Sequence, residues 1–144
     1  MDRLTTEQRS RLMSRIRGKD TGLELQVRSA LHQRGLRFRK HVKGLPGTPD
    51  VVFPREKIAI FIDGDFWHGY RYTTWRDSLS EFWQAKIENN RRRDRRNFAK
   101  LRRLGWHVIR IWGHQLKSDS ASVIDRIERA VLDARVAIFE IGGQ

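Results

Sequence analysis

The stretch Leu45-Pro46-Gly47-Thr48-Pro49-Asp50-Val51-Val52-Phe53-Pro54-Arg55-Glu56-Lys57-Ile58-Ala59-Ile60-Phe61-Ile62-Asp63-Gly64 decides the fold. Asp50 to Phe53 is a short apolar run that follows a Pro/Gly turn, so it reads as a strand. Pro54 to Lys57 is a turn. Ile58 to Ile62 is continuously apolar, the pattern of a strand covered on both faces. Two such runs separated by one turn pair as a hairpin. Asp50 opens the first strand and Asp63 closes the second, so pairing brings both carboxylates to one edge of a sheet.

Leu23, Val27, Ala30 and Leu31 recur at helical spacing, which predicts a helix from about Gly22 to Arg34. Thr21 and Glu24 have capping-box spacing and Gly35 is a stop. A short extended stretch, Leu36 to Val42, leads into the turn. After Asp63 comes an aromatic and polar segment, Asp65 to Arg76, with no period. A helical region spans about Ser80 to Leu104, with a possible break near Glu88-Asn89-Asn90, and Gly105 stops it. Trp106 to Trp112 alternates like a strand, and Val123, Ile124, Ile127, Ala130 and Val131 mark a last helix from about Ser120 to Ala134. Helix, strands, helix, strand and helix in this order make an α/β fold with a mixed central sheet flanked by helices. A first helix from about Thr6 to Arg17 carries Leu12, Met13 and Ile16 among four arginines. It reads as a basic arm, residues 1–18, that orders against phosphates. The whole chain, 1–144, fits one domain.

Charge narrows the function. Thirty Lys+Arg against seventeen Asp+Glu give a net charge of +13, and the isoelectric point is near 11.3. Neutralising a phosphate releases condensed cations, so such a chain favours nucleic acid. A membrane-surface protein would instead carry a basic helix with a strong apolar face. No run approaches a membrane span, and the N-terminus lacks the apolar segment of a signal peptide. The expectation is a cytoplasmic protein with no membrane partner. There are no cysteines, which removes disulfides and thiolate metal sites. No Gly-rich phosphate loop joins a strand to a helix.

The residues that carry chemistry are few. Asp50 and Asp63 could hold a hard, oxygen-preferring cation that stabilises charge on a phosphate and activates water. Either one alone is also an ordinary turn or strand-end Asp. His68 could take a proton from the attacking water, although a loop His is often only hydrogen-bonded structure. Asp94 lies inside Arg91-Arg92-Arg93-Asp94-Arg95-Arg96, yet shares a helix face with Ile87, Phe98 and Leu101. It is either charge compensation or a carboxylate that orients an imidazole. Glu24 serves the helix cap or the site. Phe66, Trp67 and Trp83 are either core or wedges that unstack bases, which costs least at a mismatch.

Together these residues resemble the very-short-patch repair (Vsr) mismatch endonucleases. The matching segments are Leu45 to Asp50, Phe61 to Gly69, Glu81 to Ile87, Arg93 to Arg96 and Leu104 to Val108, within a similarity from about Arg9 to Leu116. The resemblance implies a restriction-endonuclease-like core of the PD-(D/E)XK type. It also implies hydrolysis of one DNA strand, with one or two Mg²⁺ ions, on the 5′ side of the mispaired T of a T:G pair. Asp50 is then similar to the metal-bridging carboxylate, with the backbone carbonyl of Ile62 a second ligand and Asp63 a further one. His68 resembles the general base, Asp94 the acid that supports it, and Glu24 an acid acting through metal-bound water. Met13, Phe66, Trp67 and Trp83 fall at the family's intercalating wedges, and Lys86 and Arg93 at DNA-contacting positions. The expected partners are double-stranded DNA, then a repair polymerase and ligase, for a monomeric enzyme. The family's structural zinc has three Cys and one His. Asp65, Tyr70, Tyr72 and His114 stand at those positions, so no structural zinc is expected. The same departures leave open a restriction or defence-type cutter of matched DNA, or a catalytically silent DNA-binding module.

Overall fold

The computed structural model describes residues 22–142. The basic arm and Met13 lie outside these residues. Residues 22–33 form α1. Then come β1 (Arg39–Lys40), β2 (Val51–Phe53), β3 (Ile58–Asp63), α2 (Tyr72–Trp75), a 3₁₀ turn (Arg76–Ser78), α3 (Glu81–Arg103), β4 (His107–Trp112) and α4 (Gly113–Gly142). The sheet order is β1-β2-β3-β4. The first two pairings are antiparallel and β3–β4 is parallel. This is the expected mixed sheet.

Period-2 alternation sorts the sheet's side chains. Ile58, Ile60 and Ile62 of β3, with Val51, Phe53, Ile109 and Ile111, pack against Val27 and Leu31 of α1 and Val123, Ile124, Ile127 and Val131 of α4. Ala59 and Phe61 point the other way, to Phe98 and Leu101 of α3. Burial on both faces is why β3 reads as an unbroken apolar run. The same parity puts Asp63 and Arg110 on the α3 side. A third small core, Tyr72, Leu79, Trp83 and Ile87, lies beneath Phe66, Trp67 and Trp75.

Helix ends follow local chemistry. At α1, Leu36 N–H reaches Leu31 O (3.0 Å) and Gly35 N–H reaches His32 O (2.9 Å). The same pair of bonds recurs after α3, from Trp106 to Leu101 (2.9 Å) and from Gly105 to Arg102 (3.0 Å). Both are Schellman caps, which need the left-handed backbone that Gly35 (φ 75) and Gly105 (φ 90) adopt. Ser80 caps α3 by accepting from Trp83 N–H at 3.4 Å.

Three sequence expectations change. The stretch 36–42 shortens to the two-residue β1. α3 runs unbroken through Asn89 and Asn90, because their side chains find partners away from their own backbone: Asn90 Nδ2 donates to Trp67 O at 2.9 Å. α4 begins earlier and ends later than residues 120–134. A non-helical Asp119 (φ −157) divides it, and its carboxylate accepts from Ser122 N–H at 3.1 Å as the cap of the second part.

Gly69 fixes the aromatic segment on α3. Its φ is 75, and an added Cβ would lie 2.8 Å from Arg91 Cδ and 2.9 Å from Ile87 Cγ2. Gly69→Ala should therefore destabilise the protein by about 1–3 kcal/mol, read as a lowered midpoint in urea. An unchanged midpoint would show that this turn is not held as described.

Candidate active site

The carboxylates converge through pairing and helix packing. Asp50 stands just before β2, where its N–H donates to Ile60 O at 3.0 Å. Its own Oδ2 accepts from Ile62 N–H at 2.7 Å. One carboxylate oxygen thus replaces a ladder acceptor and locks Asp50 to the end of β3. Glu24 arrives from α1, where its Oε2 takes Arg28 Nη1 and His41 Nε2, each at 3.1 Å. Asp50, Ile62, Asp63, Glu24, Trp67, His68, Arg93 and Asp94 all line one cavity of about 430 Å³.

Beside it lies a charge network. His68 Nδ1 is 2.8 Å from Asp94 Oδ2 and its Nε2 is 3.4 Å from Asp63 Oδ1. Arg110 of β4 spans both acids: Nε donates to Asp63 Oδ2 at 2.8 Å and Nη2 to Asp94 Oδ2 at 2.7 Å. Asp94 and Asp63 are buried at 8% and 5% exposure, where an unpaired charge would be costly. Arg110 rests on the Trp112 ring at 4.1 Å and the Phe98 ring at 5.0 Å. Reading the sequence missed Arg110, because its parity in β4, opposite to Ile109 and Ile111, looks like solvent exposure. Only α3 lying over that face turns it into a half-buried partner of two buried acids.

Burial pushes the Asp50 carboxyl up to about 8, helped by the facing charges of Glu24 and Asp63 and opposed by the Ile62 hydrogen bond. Asp63 is also pushed up by burial, against the pull of His68 and Arg110. Among the described residues no basic side chain pairs with Asp50. An acid crowded by acids and short of a counter-charge fits a bound cation, which would supply the missing positive charge. Oxygen donors suit a hard divalent ion. Glu24, His41 and Asp50 offer ligand atoms within 4.8 Å of one another, as do Asp63, His68 and Asp94. In the second group Arg110 already supplies the cationic charge, and both Asp63 oxygens face partners.

The aromatic segment packs on α3. Trp83, which the sequence left as core or wedge, is buried at 4% exposure and forms the floor under Phe66 (6.2 Å between centroids) and Trp67 (5.9 Å). Among the described residues its indole N–H has no hydrogen-bond partner. Phe66 and Trp67 are half-buried. Lys86 Nζ sits 5.5 Å from the Trp67 centroid and 5.5 Å from that of the exposed Phe82. Arg93 lines the cavity rim and is tied to Asn90 Oδ1 at 2.9 Å. Farther along, Asp65 Oδ2 meets His114 Nδ1 at 3.0 Å, and the Tyr70 ring lies 4.3 Å from His114. Tyr72 turns away into the small core, its hydroxyl on Gln84 O at 3.3 Å.

The sequence profile described as "DNA mismatch endonuclease Vsr" matches residues 1–74. The chain belongs to the Vsr family of DNA mismatch endonucleases. It is 46% identical over 134 residues to the type II nicking enzyme V.XorIIP of Xanthomonas oryzae pv. oryzae, covering 92% of this chain and 97% of that one. It is 40% identical over 144 residues to the type II nicking enzyme V.HpaIIP of Haemophilus parainfluenzae, covering 97% of each. The DNA mismatch endonuclease Vsr of Escherichia coli is 36% identical over 127 residues, covering 83% of this chain and 81% of that one. This Vsr-family chain is an endodeoxyribonuclease, and DNA is its substrate. Among the described residues no helix is long and apolar enough to cross a membrane.

The raised Asp50 carboxyl makes a stability prediction for metal-free protein. In the unfolded chain this acid ionises near pH 4, and in the folded chain near 8. Between those values the folded state holds one proton more, so its stability falls as pH rises. Asp50→Asn removes that dependence and keeps an acceptor for Ile62. In EDTA the variant should melt higher than the unsubstituted protein at pH 8, by on the order of 2 kcal/mol in stability, with a smaller gap at pH 5. A gap that widens toward pH 5 would refute the charge crowding.

Proposed function

We propose that this endonuclease nicks one strand of duplex DNA at a T:G mismatch, on the 5′ side of the mispaired T, with Mg²⁺ as its metal and a restriction-endonuclease-like core. The observation that carries this reading is the convergence of Asp50, Glu24, His68 and Asp94 on one cavity of a strongly basic chain. Asp50 is the central ligand, with the Ile62 carbonyl beside it and Glu24 acting through bound water. Asp63 serves better as the partner of Arg110 and His68 than as a ligand. A divalent cation held there supplies charge stabilisation at the scissile phosphate and acidifies water.

The protein's own groups supply the rest. Asp94 holds Nδ1 of His68 and fixes the ring, and Nε2, 3.4 Å from Asp63 Oδ1, is the nitrogen that takes a proton from the attacking water. Arg110 keeps Asp94 and Asp63 in place without displacing the imidazole. In-line attack leaves a 5′-phosphate and a 3′-hydroxyl. Trp67 and Phe66, backed by Trp83, are the wedges at the mispaired base, and Met13 joins them from the arm. Wedging is cheapest where pairing is already broken. Lys86 and Arg93 hold the backbone alongside. On this reading 1–144 is one endonuclease domain with residues 1–18 gripping DNA. It works as a cytoplasmic monomer whose nick passes to a polymerase and ligase. The Asp65–His114 pair and the Tyr70 ring brace the loop where the family's zinc would stand.

The test is cleavage of an end-labelled duplex carrying one T:G mismatch in several sequence contexts, with the matched duplex and EDTA as controls. Mg²⁺-dependent nicking of the mismatched duplex alone is expected. Asp50→Ala and His68→Ala should each slow it by at least about 10²-fold, and Trp67→Ala should weaken mismatch nicking most. Equal cutting of the matched duplex would move the enzyme to the restriction-type reading, and salt-sensitive binding without any cleavage would sink the catalytic assignments.

A further inference from the structure

We propose that His41 is a ligand of the cation at Asp50, and that its imidazole shifts this site toward Mn²⁺ relative to Mg²⁺. The inference rests on the reading of Asp50 as the metal-binding carboxylate and adds to it a residue, a donor type and a metal preference.

Three observations carry it. First, a ring nitrogen of His41 and one oxygen each of Glu24 and Asp50 lie within 4.8 Å of one another, a spread that one six-coordinate ion can bridge. Second, the two carboxylate groups around the cavity differ in how their charge is met. Arg110 spans Asp63 and Asp94. Across the cavity Arg28 reaches only Glu24, at 3.1 Å, and Asp50 has no basic partner among the described residues although it is crowded by two other acids. Each pair has one arginine beside it, but Arg110 touches both of its acids whereas Arg28 leaves Asp50 unmet, so the position for a further cation is beside Asp50. Third, His41 projects into that group from a loop position whose backbone is left-handed (φ 52), an uncommon state for a residue other than glycine. Its side chain is 47% exposed, so burial does not force the conformation.

The donor set dictates the preference. Carboxylate oxygens and water suit Mg²⁺, which dehydrates reluctantly and keeps near-ideal octahedral geometry. An imidazole nitrogen is a softer donor and raises affinity for later divalent ions more than for Mg²⁺. One histidine among two carboxylates leaves Mg²⁺ able to bind through oxygens while giving Mn²⁺ an added ligand. The competing account is that His41 is only an ion-pair partner of Glu24. In that case its loss would not discriminate between metals.

The test is Mn²⁺ binding to the full-length protein without DNA, followed by the room-temperature EPR signal of free Mn²⁺, with Mg²⁺ as competitor. His41→Asn is the informative variant, because asparagine tolerates a left-handed backbone and is too short to reach the group. The expected result is a Mn²⁺ site that Asp50→Asn abolishes. His41→Asn should weaken it on the order of tenfold, with the Mg²⁺ competition constant changed less than about threefold. Equal weakening of both metals, or of neither, overturns the role of His41. A Mn²⁺ site indifferent to Asp50→Asn overturns the reading of Asp50 itself, and since no cleavage is measured the two failures are distinguishable. A thermal melt of each variant in EDTA confirms folding.

Discussion

Four acids and one guanidinium set the terms for the whole cavity. Glu24, Asp50, Asp63 and Asp94 are carried to one end of the sheet by three different elements and a loop. Removing so many carboxylates from water is unfavourable unless positive charge comes with them. Arg110 supplies it for Asp63 and Asp94 with two bonds of 2.8 and 2.7 Å. That leaves His68 held between two fixed carboxylates, one of which orients it. Arg28 meets Glu24 but not Asp50, so burial, with the facing charges of Glu24 and Asp63, pushes the Asp50 carboxyl up to about 8. The imbalance is local and points to where a cation belongs. A site that is strained when empty and relieved when occupied couples metal binding to stability.

The aromatic segment after β3 depends on the same end of the sheet. It leaves β3 at Asp63, crosses over α3, and is tied down at each point where it would otherwise lift. Gly69 lets the turn approach Ile87 and Arg91. Asn90 holds the Trp67 carbonyl, and Asp65 pairs with His114 at the start of α4. Trp83 gives up exposure to become the floor for Phe66 and Trp67. Rigid support beneath an aromatic side chain is what a wedge requires, since pushing apart a base step costs about a few kcal/mol. His68 sits in the same segment, so its ring and those of Phe66 and Trp67 are fixed by one set of contacts.

The chain shows how much a short sequence can declare. The apolar runs around Asp50 and Asp63 determined the hairpin, and the glycines at 35 and 105 determined where two helices stop, because left-handed caps tolerate few other residues. The inward face of α3, with Asp94 beside Phe98 and Leu101, followed from 3.6-residue periodicity alone. The same periodicity left α4 too short, because its last turns carry exposed Val136, Phe139 and Ile141 and mark no buried face. Trp83 was ambiguous for a related reason: composition does not say which of several neighbouring aromatics is underneath.

Tertiary structure alone decided the partners. Arg110 and His41 carry no local signal. Arg110 alternates with isoleucines in a strand, and His41 lies in a basic stretch between Lys40 and Val42. The first becomes a bridge between two buried acids because β4 runs parallel to β3, which sets Arg110 opposite Phe61 beneath α3. The second meets Glu24, beside Asp50, because β1 pairs with β2 and α1 brings Glu24 to that end of the sheet. Periodicity and turn chemistry act between residues a few positions apart, so the sequence displays them. Charge balance in a cavity acts between residues from distant segments, and only the folded chain brings those together.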